Sequence, residues 1–306
     1  MPTESNSFRV AAIGELLWDL LPDGARLGGT VANFCAMTAA LQDEAFLVSS
    51  VGEDERGRLA LAQLAENGVR LDYVSLDSDH PTGTVAVTLA SNTGPQYCIQ
   101  PETAWDFIPE TSALMALAPT LDAVCFGTLA QRSPGTRTTL RNFVNRTRPD
   151  CLRVFDVNLR APFWTLEMLA WGCSRAGILK MNDEEVIPVA QAMGAPETLQ
   201  DPVEVARLLL GRYSMRMVAI TRGGKGSLLV TRDLVQEHPG VPCTVVDTIG
   251  AGDAFTAALT HAALRRLPLA EMADAANRWG AWVASQPGGM PHVTSDVRRQ
   301  TNPAAM

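Results

Sequence analysis

The sequence predicts an α/β fold, and three observations support this prediction. From Ala123 onward, apolar strand-like runs alternate with helical patterns, in the segments 123–127, 136–147, 152–156 and 176–180. A stretch of period-two alternation, 81–100, interrupts the βα series and is typical of a β-hairpin. The chain of 306 residues is 46% hydrophobic and 19% charged, which provides enough apolar side chains for one large α/β domain or two small ones.

Composition and charge argue against several classes of function. The formal net charge of −8, without a long basic run, disfavours nucleic-acid binding. No segment has the apolar length of a membrane span, and Met1 to Ser7 lack the apolar core of a secretion signal, so a cytoplasmic protein is expected. The six cysteines form no CxxC pair, which predicts reduced, buried thiols and not a zinc site or a disulfide framework.

The segment richest in chemistry lies near the C-terminus, at residues 244–255. The β-branched run 244–246 predicts the buried end of a strand, Gly250 and Gly252 predict a tight turn, and Phe255 begins a helical pattern. A strand, a glycine turn and a helix start in this order direct free backbone N–H groups and the positive end of the helix dipole at one point. Such a point suits an anion.

Asp253 lies in the same turn, where its charge would repel that anion. A carboxylate beside an anion-binding turn makes chemical sense if it takes a proton from a nucleophile while the amides hold the charge that develops on a phosphate. The alternative is an ordinary N-cap or first-turn acid, which is common at helix starts.

Two other interpretations of the glycines fit less well. A dinucleotide-binding fingerprint would have a third glycine where Phe255 stands, and it belongs in a first βαβ unit, which disfavours a nicotinamide oxidoreductase. A P-loop at 223–227 would have Ser or Thr after Lys225, where this chain has Gly226.

The N-terminal part contains a second group of polar candidates. Asp19 interrupts the apolar segment 16–21, so we expect a carboxylate at the carboxyl end of a strand that accepts hydrogen bonds from a polyol; the alternative is a turn residue before 22–24. The pair Gly28-Gly29 allows a backbone to approach a ligand closely, and Asn33, one turn into the next helix, can donate to a hydroxyl.

Together these motifs resemble the ribokinase-like (PfkB) carbohydrate kinase family. The run Asp247-Thr248-Ile249-Gly250-Ala251-Gly252-Asp253-Ala254-Phe255 is similar to its C-terminal signature, and the likeness extends over residues 8–290 with the motifs in family order. It implies a single ribokinase-like domain over 1–306, in which helices flank a mainly parallel sheet and segments near 15–28 and 82–105 form a small β lid. The alternative for the hairpin is an antiparallel edge of the main sheet.

The resemblance also implies an activity, the ATP-dependent phosphorylation of a sugar hydroxyl. Asp253 would take the hydroxyl proton, and the amides of Ala251 and Gly252, with Gly250 in the turn, would hold the developing charge. The sugar contacts map onto Asp19, Gly29 and Asn33. Arg160 ends a segment similar to the family's Asp-x-Asn-x-Arg and would contact phosphate or sugar, unless it is a surface arginine. Val31 departs from the proline of many members, and we expect it to change the rigidity of the turn and not its role.

The nucleotide contacts follow from the same resemblance. Asn182 and Glu185 match an Asn-x-x-Glu motif linked to Mg²⁺, with Glu185 acting through water; the alternative is a capping pair. Thr221, Gly223 and Gly226 would lie along the nucleotide. Asn277 would lie near the adenine, and Asp247 would belong to a monovalent-cation loop that binds K⁺.

Fructose is the expected acceptor, because 14–22 and Ala104-Trp105-Asp106 resemble fructokinases. Trp105 is expected to be a hinge or core residue. Ribose, 2-keto-3-deoxygluconate or a nucleoside stay open as acceptors, as does a non-catalytic sugar-binding relative, although retention of Asp253 argues against the last. Analogy with the family suggests a homodimer through the lid.

Overall fold

The computed structural model describes residues 7–22, 24–90 and 94–301 of the chain. The turns predicted at 22–24 and 92–94, and the polar start at Met1 to Ser7, lie wholly or partly outside these ranges. None of the helices within them combines the length and the apolar character that are needed to cross a bilayer.

Strands and helices alternate along most of the described chain. The strands are β1 (Arg9–Ile13), β2 (Leu17–Leu21), β3 (Gly24–Gly28), β4 (Glu44–Gly52), β5 (Arg70–Asp77), β6 (Gly83–Ala90), β7 (Gly94–Ile99), β8 (Ala123–Gly127), β9 (Leu152–Asp156), β10 (Ile178–Asn182), β11 (Met217–Thr221), β12 (Ser227–Val230) and β13 (Val235–His238). The helices are α1 (Thr30–Ala40), α2 (Glu55–Glu66), α3 (Ser112–Leu117), α4 (Pro134–Arg146), α5 (Leu166–Arg175), α6 (Asp183–Ala192), α7 (Pro202–Arg212), α8 (Ala251–Leu264), α9 (Leu269–Ala284) and α10 (Ser295–Thr301).

The main sheet has the order β13-β12-β11-β10-β9-β8-β1-β4-β5, and its strands from β11 to β5 run parallel. Both faces of the sheet are covered. Along β1, Ala11 and Ile13 join one apolar cluster, whereas Val10 and Ala12 join the other. Since successive side chains of a strand point to opposite faces, these central strands are apolar throughout, as buried parallel strands generally are. The predicted α/β architecture with a mainly parallel sheet is confirmed.

The hairpin at 83–99 belongs to a second sheet and not to the edge of the main one. This smaller sheet has the order β3-β2-β6-β7, so it joins the two segments that the sequence assigned to a lid. Its apolar side chains Leu17, Val85 and Ile99 pack with Leu129 around Trp105, which is fully buried. Trp105 is therefore a core residue that anchors the small sheet.

The structure contradicts the strand expected at 244–246. Val245 and Val246 are each 61% exposed and belong to the long connection between β13 and α8. The N–H groups of Val246 and Asp247 donate to the carbonyl of Ala284 at the end of α9, 2.9 and 3.2 Å away, so this segment pairs with a helix terminus and not with a strand. The prediction of buried thiols is also wrong at two positions, because Cys98 and Cys243 are exposed.

Two helical glycines allow a matched test of the packing. A Cβ on Gly172 of α5 would overlap the ring of Phe155, which is fully buried in β9, whereas a Cβ on Gly211 of α7 would meet no atom within 4 Å. We expect Gly172→Ala to destabilise the fold by about 1–3 kcal/mol, because overpacking displaces the ring. Gly211→Ala should be neutral or stabilising, since Ala has the higher helix propensity. Chemical denaturation of both variants checks this, and equal unfolding free energies would contradict it.

Candidate active site

A cleft of about 520 Å³ lies between the small sheet and the carboxyl-terminal ends of the central parallel strands. Open α/β sheets place their ligands at this edge. One end is formed by the small sheet and the start of α1, and the other by the β11–β12 turn and helix α9. All but two of the predicted site residues line it: Asp19, Gly29, Asn33, Arg160, Asn182, Thr221, Gly223, Gly226, Gly250, Ala251, Gly252, Asp253 and Asn277.

The N-terminus of α8 lies in the middle of the cleft. Gly250 caps the helix with φ = 75°, and a Cβ at this position would overlap the backbone of Gly289, so both conformation and space require glycine. The Ala251 N–H closes the turn with a long bond of 3.3 Å to the carbonyl of Thr248. Within the described chain, the N–H groups of Gly250, Gly252 and Asp253 make no hydrogen bond. These three amides are therefore free to bind an anion, whereas the Ala251 N–H already closes the turn.

Asp253 is held beside these amides by a hydrogen bond from α1. The Nδ2 of Asn33 donates to the Oδ2 of Asp253 over 2.7 Å. The Oδ1 of Asn33 is buried without a partner among the described residues, so it can accept from a ligand hydroxyl. The Asp253 side chain forms no helix cap, although it is an acid of the first turn of α8, as the alternative interpretation expected.

The electrostatic surroundings of Asp253 favour proton transfer near neutrality. Burial raises the pKa of its carboxyl to about 7, and the neighbouring charge of Asp156 acts in the same direction. Lys180 and the hydrogen bond from Asn33 oppose this rise. A general base is most effective when its pKa lies near the working pH.

Lys180 lines the cleft as well, and it is one of the residues that the sequence did not indicate. Its Nζ donates to Asp156 Oδ1 over 3.1 Å, and the hydroxyl of Thr256 in α8 donates to Asp156 Oδ2 over 3.1 Å. A Cβ on Gly252 would lie 3.3 Å from Nζ, so the ammonium group lies directly below the turn. Burial lowers the pKa of Lys180, but the attraction of the surrounding carboxylates outweighs it and the net shift is upward. A lysine inside the apolar run 176–180 was the available signal.

The end of the cleft beside the small sheet combines acidic and apolar side chains. Burial raises the pKa of Asp19, in β2, to about 6, although the charge of Arg160 opposes the shift. Gly29 has φ = 106°, and a Cβ there would overlap the carbonyl oxygen of Glu15. Glu15 was also missed; its carboxylate is buried, lines the cleft and accepts from the Thr30 N–H over 3.2 Å, and burial raises its pKa. The apolar part of this end consists of Leu17, Val85, Ile99 and Leu129.

The opposite end of the cleft, beside the β11–β12 turn, is lined mainly by glycines and uncharged polar side chains. Thr221 and Gly223 line it at the β11–β12 turn, which Gly226 closes with φ = 83°, where a Cβ would overlap the carbonyl of His238. Asn277 donates from Nδ2 to Ser227 Oγ and to the Ala273 carbonyl, each over 2.7 Å, so its Oδ1 is the group left for a ligand. Val245 adds an exposed apolar surface to this end, which explains why it is not part of a buried strand.

The sequence pattern described as pfkB family carbohydrate kinase matches residues 24–295. The chain belongs to this family. It is therefore a phosphotransferase with a sugar hydroxyl as its acceptor. The match covers β3 through the start of α10, and thus the turn with Asp253 and all but the first strands of the cleft.

Individual proteins that resemble this chain are also named as sugar kinases. A fructokinase of Escherichia coli is 28% identical over 309 residues, which cover 93% of this chain and 95% of that protein. The structure of a sugar kinase of Pyrococcus horikoshii in complex with ATP has a TM-score of 0.80 and 25% identity, covering 95% of this chain and 99% of that one. A fructokinase double mutant of Vibrio cholerae, solved with fructose, ADP and potassium ion, has a TM-score of 0.79 and 21% identity. The match covers 98% of this chain and 100% of that one.

Two predicted site residues, Glu185 and Asp247, do not line the cleft of this carbohydrate kinase. Glu185 accepts from the N–H groups of Asn182 (2.8 Å) and Leu159 (2.6 Å), and the Oδ1 of Asn182 accepts from the Glu185 N–H (2.9 Å). The capping-pair interpretation therefore holds in the structure. The carboxylate of Asp247 is bound by Arg26 of the small sheet.

The raised pKa of Asp253 predicts an acid limb in the pH profile. The carboxyl must be ionised to accept a proton, so kcat/KM should fall about tenfold for each pH unit below about 7. Steady-state kinetics between pH 5 and 9 measures this. The terminal phosphate of ATP also titrates near neutrality, so the residual activity of Asp253→Asn serves as the control. A limb that persists unchanged in that variant, or a wild-type limb near pH 4, would contradict the assignment.

Replacing Lys180 tests its electrostatic role. In Lys180→Met the attraction that lowers the Asp253 pKa is lost, so the acid limb should move to higher pH, whereas Lys180→Arg should leave it near pH 7. Breaking a buried ion pair costs about 3–5 kcal/mol, so the double variant Lys180→Met, Asp156→Asn controls for lost stability. The double variant also loses the charge of Asp156, which raises the pKa of Asp253. Its acid limb should therefore not move to higher pH. A Lys180→Met profile that matches wild type would exclude the role.

Proposed function

We propose that this carbohydrate kinase transfers the γ-phosphoryl group of ATP to a hydroxyl of a neutral sugar, most specifically fructose. One observation carries the proposal: the Asp253 carboxylate is fixed by Asn33 beside three unpaired amides of α8, between a polyol-binding end and a nucleotide-binding end. A binding module would need the amides but not a base with a pKa near 7.

The proposed reaction needs positioning and charge stabilisation more than covalent chemistry. The acceptor hydroxyl loses its proton to Asp253 while its oxygen forms a bond to the γ-phosphorus. The bond from that phosphorus to the bridging oxygen breaks, and ADP leaves with the electron pair. The amides of Gly250 and Gly252 hold charge on the transferred group, and Arg160 at the cleft rim adds a cation.

ATP would occupy the end formed by Thr221, Gly223, Gly226, Asn182 and Asn277. Among the described residues no group of three His, Cys, Asp or Glu side chains forms a metal site. Mg²⁺ retains several waters and is usually held by phosphates with one or two protein contacts, so it would arrive with the nucleotide. Asn182 and, through water, Glu185 are its proposed neighbours; the ion would neutralise phosphate charge.

Charge at the acceptor end supports a neutral polyol. Three carboxylates, Glu15, Asp19 and Asp253, line the cleft together with two cations, Arg160 and Lys180, and Lys180 is paired with Asp156. A sugar acid such as 2-keto-3-deoxygluconate would be repelled, whereas the hydroxyls of fructose can donate to these carboxylates and to Asn33 Oδ1. The E. coli relative named fructokinase supports the same choice. Ribose and nucleosides are the alternative neutral acceptors.

A homodimer through the small sheet is a further part of the proposal. β3 and β7 are its outer strands, and outer strands offer unpaired backbone groups to a second copy. Sedimentation of the purified protein distinguishes a dimer from a monomer.

A coupled ADP-release assay over a panel of sugars and nucleosides tests the activity. We expect strong stimulation by fructose, weaker stimulation by ribose and none by 2-keto-3-deoxygluconate. Asp253→Asn should lower kcat by about 10²–10⁴-fold, the usual contribution of a general base. Asp233→Asn, an exposed acid in the β12–β13 turn, is the matched control and should be unaffected. Near-normal turnover in Asp253→Asn would exclude the assigned base.

A further inference from the structure

Arg26 links the small sheet to the loop that precedes α8. It lies in β3, directly opposite Asp19 of β2, and its Nη1 is 2.5 Å from Asp247 Oδ2. Because directly opposed residues of an antiparallel pair share one face, Arg26 and Asp19 lie on the same side of the small sheet. Arg26 thus ties the strand pair that carries Asp19 to the loop before α8.

The carboxylate of Asp247 joins three segments of the chain. Its Oδ1 accepts from the N–H of Ile249 over 3.0 Å, which shapes the turn before Gly250. Its Oδ2 accepts from Arg26 and, over 3.1 Å, from the N–H of Gly288. Since the Asp247 side chain is only 11% exposed, its charge needs a partner inside the protein.

A monovalent cation does not fit this arrangement. Likeness to the family assigned Asp247 to a K⁺ loop, and the Vibrio cholerae relative was solved with potassium ion. In this chain the Oδ2 of Asp247 already accepts hydrogen bonds from a guanidinium and an amide. A second cation next to Arg26 would be repelled, with an energy that falls only as the inverse of the distance.

We propose that Arg26 is a positioning residue that supplies, from the chain itself, the positive charge that a monovalent cation would bring to Asp247. Catalysis then does not depend on K⁺, and the phosphate-binding turn is fixed to β3 of the small sheet. The inference rests on the proposed kinase function for its kinetic consequences, but the charge substitution itself can be tested without turnover.

The kinetic test compares K⁺ with tetramethylammonium at constant ionic strength. Wild-type kcat should differ by less than about twofold between the two salts. The kcat of Arg26→Gln should fall by about tenfold or more in tetramethylammonium, because one charge interaction, worth about 1.4 kcal/mol or more, is lost. Most of this loss should be regained in K⁺. The fall should be in kcat more than in the KM for sugar, because the turn acts on the transferred phosphate. Arg58→Gln, which breaks an exposed pair with Glu55, is the control.

A second measurement needs no substrate. K⁺ that binds the folded Arg26→Gln protein should raise its melting temperature by about 2–4 °C over tetramethylammonium, and wild type should show no difference. Arg26→Lys keeps the charge and should behave as wild type. If no sugar is phosphorylated but these shifts appear, the proposed function fails and the inference stands. Activation of wild type by K⁺, full activity of Arg26→Gln without K⁺, or a loss that K⁺ does not rescue would each overturn it.

Discussion

The chemistry of the cleft depends on one ion pair that the fold holds away from water. Asp156 and Lys180 are directly opposed on the parallel strands β9 and β10, and both are almost completely buried. Their charges neutralise each other, so Lys180 compensates the negative charge of Asp253 above them only in part. Only Asn33, the residual field of Lys180 and the positive end of α8 compensate it. Burial is the main reason that the pKa of Asp253 lies near 7, and the order of the strands adds to it by setting Asp156 beside Lys180 under the turn.

The same ordering explains why base and anion hole coincide. α8 must begin where β9 and β10 end, because the Thr256 hydroxyl in its second turn donates to Asp156. This bond fixes the axial position of α8, and with it the height of the Gly252 amide above Lys180. In the proposed reaction, the hydroxyl that gives its proton to Asp253 would lie beside the Gly252 amide, because both groups belong to the first turn of α8.

The sequence predicts the fold because alternating periodicity depends on local composition, and buried parallel strands leave a clear apolar signal. It identifies Asp253 and Asn33 as candidate site residues because each stands in a glycine-rich or helical segment where a polar side chain is unusual. It does not predict their contact, which joins residues 220 positions apart. Lys180 was missed because a single charged residue in an apolar run does not indicate which residue it pairs with in the fold. The strand expected at 244–246 failed for a related reason: β-branched side chains favour a strand, but here Val245 lines the cleft and Val246 is exposed.

The small sheet is more than a cover for the cleft. Side chains two positions apart on a strand share a face, so Leu17 and Asp19 both point into the cleft, and the apolar one packs against the Trp105 cluster. Asp19 is thereby fixed on a strand whose neighbour, β3, carries Arg26. A polyol that binds Asp19 is held by the same strand pair that binds Asp247 and the turn before α8. In the proposed function, acceptor binding and the geometry of the turn before α8 would therefore both depend on the β2–β3 pair, and a displacement of β2 would disturb both at once.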